Sequence, residues 1–581
     1  VAEIKLQTKR QEYEVLRAQL EFERTSFISH WRDLNDYINP RRGRFFTADV
    51  NRGDRRSKNI IDSTATLAAR TLRSGMMSGV TSPARPWFRL TTPDPKMAEY
   101  EPVKNWLHEV SQRMSTSFLR SNLYNVLPII YGDIGTFATG AMMIEEDFDD
   151  VLRCYPFPIG SYMIANNDKL KVDVFFREFR MTVRQLVQRF GRKKPNGDFD
   201  WSNFSIHVKN SWDRGAYEDW IDVCHVIKPN QDYDPNKLES KFKKYSSCYY
   251  ERGYLAGTGS GYLSTADEDR YLSEKGYDFF PILAPRWEVT GEDVYGTDCP
   301  GMAALGDIKQ LQLGEKRGAE AIEKMIRPPM TGPTSLRNQK ASILPGDITY
   351  VDVREGQQGF RAAHEVNFRL EALENKQAQV RERIRRAYFE DLFLMLASSD
   401  RRQITAREIE ERHEEKLLAL GPVLEQLNQD LLDPLIDNAF DIHVRQGLIP
   451  PPPEELQGVK LKVEYVSVMA QAQKLVGLAG VERFVGFVGN MAQAVPSVLE
   501  KINADQIVDV YGDMTSIPPG IVRPDEEVEA MRAQAAEAQA AQQKLMAIKE
   551  ASGAAKNLAS ADLSGDNALT QVISGLKEQQ T

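Results

Sequence analysis

Hydrophobic residues recur at helical spacing over several long stretches of the chain and alternate at strand spacing in one interval between them. Residues 3–38 place Leu6, Tyr13, Leu16, Leu20, Phe27, Trp31 and Leu34 at three-, four- and seven-residue steps with charges between them, which predicts one amphipathic helix ended by Pro40. A second helix is predicted over 60–77, followed by Ser82, Pro83 and Pro86, the apolar-aromatic run 87–90, and a further helix over 103–119. From 141 to 287 the pattern shortens to β-rich segments at 141–144, 151–157, 172–179, 220–227, 247–254 and 282–287. These predict a mainly antiparallel sheet carrying helices, one of which opens on the capping-box pair Thr182 and Gln185, with Gly191 expected in a left-handed C-terminal position.

The central block, 301–440, is different in kind. Leu305, Ile308, Leu311, Ile322 and Met325 form one helical stripe, interrupted by Gly314 and Gly318, where a neighbouring backbone can come close. Pro328 and Pro329 stop this helix, and a Pro/Gly-rich insert to about residue 364 holds one predicted strand at 348–353. A returning helix over 366–397 carries Leu370, Leu373, Val380, Ile384 and Tyr388 on one face, a length of about 45 Å at 1.5 Å per residue. A short polar loop with Asp400, Arg401 and Arg402 follows, and a capping-box pair, Thr405 and Glu408, opens a third helix to about 446. Pro422 and Pro434 are expected to bend it, since a proline inside a helix costs about 3 kcal/mol. Helices joined in this way are hard to bury in one core but natural to a ring whose subunits line a channel.

Beyond the stiff run 450–453, the segment 459–468 is predicted to return as a strand to the first domain, with helices over 470–491 and 498–511. The stretch 524–581 is rich in Ala and Gln, with high helix propensity and little to bury.

Composition narrows the function. The 581 residues suffice for several domains without disulfide or metal support, and the net charge of -9 gives no global attraction for nucleic acid. Cys154, Cys224, Cys248 and Cys299 are scattered without metal-binding spacing, so a reduced compartment such as bacterial or host cytoplasm is expected. The first residues are charged rather than signal-like, and no run of about 18 apolar residues occurs, so no membrane insertion is expected.

No catalytic constellation emerges. Gly257, Gly259 and Gly261 lack the Lys-Ser/Thr of a phosphate loop and read as a flexible loop, and the seven histidines show neither triad nor metal spacing. The acidic run Glu145, Glu146, Asp147, Asp149 and Asp150 is a solvated hairpin turn or, alternatively, a cation site. Arg41, Arg42, Arg44 and Arg52 read as an exposed basic loop or, alternatively, as contacts to a phosphate backbone or an acidic neighbour. Arg381, Arg383, Arg385 and Arg386, interleaved with Glu382, read as solvated or paired between subunits, or as DNA contacts. Neither an enzyme nor a cofactor is expected.

Several stretches together resemble the portal, or head-to-tail connector, proteins of short-tailed bacteriophages: WRDLNDYINPRRGRFF at 31–46, SGMMSGVTSPARPWFRL at 74–90, YGDIGTFATG at 131–140, FRMTVRQLVQRFG at 179–191, and 407–440. The ordered set covers nearly the whole chain and weakens at 195–275 and after 524. The resemblance implies a mainly helical α+β subunit of a dodecameric ring at one capsid vertex. Its parts would be an α/β wing (1–299), stem helices (300–327 and 366–397), a small α/β clip (328–365) and a tunnel loop (398–404). A long kinked helix returning to the wing (405–469), a helical crown (470–523) and a C-terminal helical barrel or flexible tail (524–581) would complete it. Implied partners are further copies, the terminase large subunit, a tail adaptor, the major capsid and scaffolding proteins, and double-stranded DNA in transit. The place is the virion, with host cytoplasm during assembly. The residues this places at the channel are Asp400, Arg401 and Arg402 in the tunnel loop and Lys309, Lys316, Lys324, Arg381 and Arg385 on the stem; Arg337, Asn338 and Lys340 are placed at the docking clip. The competing readings are a packaging ATPase, disfavoured by the absent phosphate loop, a packaging nuclease, which an assay with magnesium and linear DNA would test, and a scaffolding or adaptor protein, disfavoured by the β-rich interval.

Overall fold

A computed structural model describes residues 9–45, 56–252 except 95, 96, 99 and 196, 271–331 except 329, 361–362, 370–398, and 420–466 except 457, 459 and 460. It also describes 484–491, 503, 506–508 and 525–559. Two compact units are present, Val1–Gln473 and Lys474–Thr581.

In the first unit the leading stripe folds as predicted into α1 (Lys9–Tyr37), which buries Tyr13, Leu20, Trp31 and Leu34. The next helix, α2 (Thr64–Val80), lies slightly later than its expected span. The aromatic run becomes β1 (Phe88–Thr91), and α3 (Glu101–Arg120) follows. Sequence periodicity missed α4 (Leu123–Phe137), because it is apolar on nearly every side and contains Pro128, Gly132 and Gly135. Such a helix must lie in the interior, and Leu123, Leu127, Ile130, Tyr131, Ile134 and Phe137 are all fully buried.

The β-rich interval forms two main antiparallel sheets, besides a short two-stranded pair of Arg192–Lys193 with Phe199–Asp200. The smaller has the order β9-β2-β3, made by β2 (Met142–Asp147), β3 (Val151–Pro156) and, later in the chain, β9 (Ile282–Leu283). The larger has the order β8-β7-β6-β5-β4, made by β4 (Tyr162–Asn166), β5 (Val172–Thr182), β6 (Trp220–Pro229), β7 (Tyr245–Glu251) and β8 (Ser273–Tyr277). Strand alternation gives this sheet two apolar faces. Phe176, Cys224, Val226, Cys248 and Tyr250 pack with Tyr13 and Leu20 of α1, while Met181, Ile221, Val223 and Tyr249 pack with α5 (Val183–Phe190) and α6 (Ile206–Asp213).

The capping box of Thr182 and Gln185 forms in both directions at the start of α5. Gly191, however, is extended, with φ -64° and ψ 135°, rather than left-handed. Glycine suits it for lack of room: an added Cβ would sit 2.3 Å from the Val187 carbonyl oxygen. The acidic run is part of the β2–β3 hairpin, with the turn confined to 148–150. The basic loop is only partly exposed. Arg42 donates from Nε and a terminal nitrogen to the buried Asp133 at 2.7 and 2.6 Å and so pins the loop to α4.

After β9 come α7 (Pro300–Ile326), the pair β10 (Met330–Thr331) and β11 (Arg361–Ala362), then α8 (Leu370–Ala387) and α9 (Glu390–Ser398). The returning helix is thus broken at Tyr388 and Phe389, where continuous helix was expected. Phe389 has φ +54°, an unfavourable left-handed backbone for such a side chain. Burial holds it there, with the Phe389 ring stacked on Trp287 and Tyr388 fully buried.

The long third helix is described from 420, and its kink takes the form of a π-helical turn, Asn428–Leu432, directly before α10 (Asp433–Arg445) with Pro434 in its first turn. Asp430 in that turn receives Nε and a terminal nitrogen of the buried Arg286 at 2.9 and 3.1 Å, together with an amide hydrogen from Gln426. The expected returning strand is present as β12 (Lys462–Tyr465), paired antiparallel with β1 and clasped by Arg89 and Glu464 at 2.7 Å. The strand at 348–353 and the glycine string at 257–261 lie outside the described residues.

The second unit contains helix at 484–491 and α11 (Asp525–Ala559), whose 35 residues span about 52 Å. Nearly all its described side chains are exposed, as its Ala/Gln composition predicts.

Gly75 on α2 lets α9 pack against it: a Cβ there would lie 2.1 Å from the Phe393 ring. Gly75→Ala is expected to destabilise the first unit by about 1–3 kcal/mol through overpacking, read as a lower midpoint in thermal unfolding. An unchanged midpoint would contradict this packing.

Candidate functional site

The feature that sets this subunit apart is the arm made by α7 and α8. They run antiparallel, with Arg383 against Asp307 (2.7 and 3.1 Å), Arg381 against Glu315 (2.5 Å), and Leu373 packed so closely on Gly318 that a Cβ there would lie 2.9 Å from it. The expectation that Gly318 admits a close neighbour is met, by a side chain rather than a backbone. At the far end, β10 and β11 pair through Met330–Ala362 and Thr331–Arg361, which brings the two ends of the intervening insert together.

The arm has two halves. Near the body, Ala304, Leu305, Ile308 and Leu311 are buried in the main core. Beyond Gln312 the same helix exposes Leu313 at 57%, Ile322 at 38%, Met325 at 47% and Ile326 at 73%. Apolar side chains at this density along one free helix are a surface built to be covered.

Between the halves sits a polar anchor. Gln312, itself buried, accepts at its side-chain oxygen from the backbone N–H groups of Ile61 (2.6 Å) and Asp62 (2.9 Å), and its amide nitrogen donates to the Asp62 carbonyl at 2.8 Å. The Asp62 carboxylate accepts from Thr64 N–H at 2.7 Å at the start of α2 and from Arg381 Nε at 2.8 Å on α8. Burial raises the Asp62 pKa, but the hydrogen bonds from Thr64 and Arg381 outweigh it and hold the carboxyl below its usual range. One residue thus ties α2, α7 and α8 together.

The predicted stem residues separate accordingly. Lys309 pairs with Asp33 at 2.6 Å and lies over the Tyr37 ring, Arg381 is part of the anchor, and Arg385 pairs with Glu390 at 3.5 Å. These three are held by the chain itself. Lys316 and Lys324, in contrast, are exposed on the free half, with no ion pair among the described residues. Asp400, Arg401, Arg402, Arg337, Asn338 and Lys340 lie outside the described residues. Sequence reasoning missed the anchor; its one signal was a glutamine at a stripe position next to Leu311. Among the described residues, no group of three or more His, Cys, Asp or Glu is placed to share a metal ion, and no helix is long and apolar enough to cross a membrane.

Comparison with known proteins gives a consistent result. The sequence family described as bacteriophage head to tail connecting protein matches residues 10–522. The chain is 50% identical over 556 residues to the portal protein of Salmonella phage epsilon15, covering 96% of each chain. It is 44% identical over 554 residues to the probable portal protein of Bordetella phage BPP-1, covering 95% of this chain and 96% of that one.

Gln312→Leu strands the N–H groups of Ile61 and Asp62 and is expected to cost about 1–3 kcal/mol in urea unfolding, whereas Lys316→Gln is expected to stay within about 0.5 kcal/mol. Equal effects of the two would remove the anchor role. The Asp62 contribution is present above about pH 4 and is lost as pH falls through its lowered folded-state pKa, so Asp62→Asn is expected to flatten that part of the acid profile.

Proposed function

The chain belongs to the bacteriophage head to tail connecting protein family, and we propose from that premise that it is a portal protein whose copies form a ring at one capsid vertex. The observation that carries the ring is the half-buried, half-exposed arm. A lone subunit leaves Leu313, Ile322, Met325 and Ile326 in water, while neighbours in a closed ring would cover them on every copy alike. In this reading residues 1–299 form the wing, α7 and α8 the stem around a channel, the insert bounded by β10 and β11 the clip, and 398–404 a loop at the channel wall. The role is structural: a conduit for packaging and ejection of double-stranded DNA, and a platform for terminase and then for a tail adaptor. A dodecamer is the stoichiometry the proposal adopts.

The charge distribution fits passage rather than capture. Each phosphate neutralised strengthens salt-dependent binding, so a conduit for a polyanion works best with an acidic wall and few free cations. The net charge is -9, and the stem cations Lys309, Arg381, Arg383, Arg385 and Arg386 are already paired with carboxylates. Lys316 and Lys324 on the stem, and Arg401 and Arg402 in the loop, are the cations this reading assigns to passing DNA.

Electron microscopy of the purified chain is expected to show rings with a central hole; compact monomers at micromolar concentration would overturn the proposal. Arg401→Ala with Arg402→Ala is expected to leave ring formation intact and to lower packaged-DNA retention. Unchanged packaging and retention would remove these two arginines from the mechanism.

A further inference from the structure

On α2, Arg70 and Arg73 are exposed and have no ion pair among the described residues, while the charge of Arg73 acts on the buried Asp133 beneath it. With Ser74, Met77, Ser78, Ser82, Pro83 and Pro128 they line an open groove of about 490 Å³ between α2 and α4. Its lining combines cationic and hydroxyl side chains with the apolar Met77, Pro83 and Pro128. A bare phosphate backbone would use the polar part of that lining and waste the apolar part. A segment carrying both an aromatic side chain and carboxylates would use both.

The same chain displays such a segment. At the apex of the β2–β3 hairpin, Phe148 is 92% exposed, flanked by Glu146 and Asp149, whose carboxylates have no ion pair among the described residues. The tip is held rather than loose. The Asp147 carboxylate accepts from the N–H groups of Asp149 (2.9 Å) and Asp150 (3.4 Å), and Gln446 donates to the carbonyls of Asp147 (3.4 Å) and Val151 (3.2 Å). Val151 itself sits at φ +72°, a conformation that costs a β-branched residue free energy and persists only because its surroundings impose it. A phenylalanine in water on this acid-flanked tip has no covering partner among the described residues.

We propose that the hairpin tip of one copy inserts into the α2 groove of the next, with Phe148 against Met77, Pro83 and Pro128 and with Glu146 and Asp149 against Arg70 and Arg73. This rests on the ring reading above and adds a specific contact to it. The contact is head-to-tail, since tip and groove are different surfaces of one chain, and such a contact closes only as a ring or propagates as a filament. Its ion pairs favour the correct neighbour, and its aromatic plug supplies the buried area.

The test uses the full chain. All four native cysteines are buried, so thiols introduced by Ser74→Cys and Asp149→Cys are the reactive ones. Mild oxidation of the double variant is expected to give a ladder of disulfide-linked multimers on a non-reducing gel, absent from either single variant. In parallel, the reversals Arg70→Glu with Arg73→Glu, and Glu146→Arg with Asp149→Arg, are each expected to raise the concentration needed for ring assembly at least about tenfold, and their combination to recover most of that loss. Rings that form normally in every reversal, with no inter-chain cross-link, would overturn the contact while leaving the ring standing. A cross-link within single chains would also overturn it. Reversal at Arg70 and Arg73 that spares assembly but lowers retention of linear double-stranded DNA would reassign the groove to phosphate. A wild-type chain that never assembles would overturn both readings.

Discussion

Asp62 is where the architecture is decided. Its backbone satisfies Gln312 on one arm helix, and its carboxylate satisfies the first turn of α2 and Arg381 on the other arm helix. A helix pair that leaves a core must stop gaining stability from burial at some residue, and beyond that point only its own cross-contacts hold it. The anchor marks that boundary. Apolar residues preceding it are buried in the core of the subunit; those following it, Leu313, Ile322, Met325 and Ile326, stay 38–73% exposed in a lone copy. The ring reading draws on this division more than on any single side chain.

Two buried ion pairs set the body around which the arm is anchored. Arg42 with Asp133 closes the N-terminal loop over α4, and Arg286 with Asp430 fastens the π-helical turn to the strand-rich core. The cost of taking both charges out of water makes such pairs poor sources of net stability, even with their companion hydrogen bonds, yet removing one partner typically costs about 3–5 kcal/mol. Their effect is on which arrangement is reached: each couples segments more than 90 residues apart that apolar packing alone could join in several registers.

Amphipathic elements were legible in the sequence because each has one wet face. The helices α1, α3 and α7, the hairpin and the return of β12 carry that signature; the long strands β5 and β6, covered on both faces, are legible instead from their β-branched and aromatic runs, and the capping box at Thr182 from its spacing. Where burial is two-sided the signature vanishes, so α4 went unseen. Where tertiary packing overrides local preference the pattern misleads: Val380, Ile384, Tyr388 and Leu392 continue a four-residue rhythm straight through a helix break. Gly191 falls at the helix end that the spacing indicates but in an extended rather than left-handed conformation, and for Arg42 the acidic-neighbour alternative is the one realised, with a carboxylate on a helix 91 residues away that the sequence alone does not locate. The candidate site was legible as helices and not as an anchor, since Asp62 and Gln312 are 250 residues apart.

The π-helical turn at Asn428–Leu432 carries a geometric consequence. An α-helix advances about 100° per residue, so a turn that accommodates one additional residue sets the azimuth of everything after it about one residue out of step with the preceding helix. Leu424 and Leu427 before the turn, and Leu435, Ile436, Ala439 and Ile442 after it, are all buried, so the chain meets its core on both sides of the turn. Arg286, reaching Asp430 inside the turn, holds this widened stretch of the helix in place.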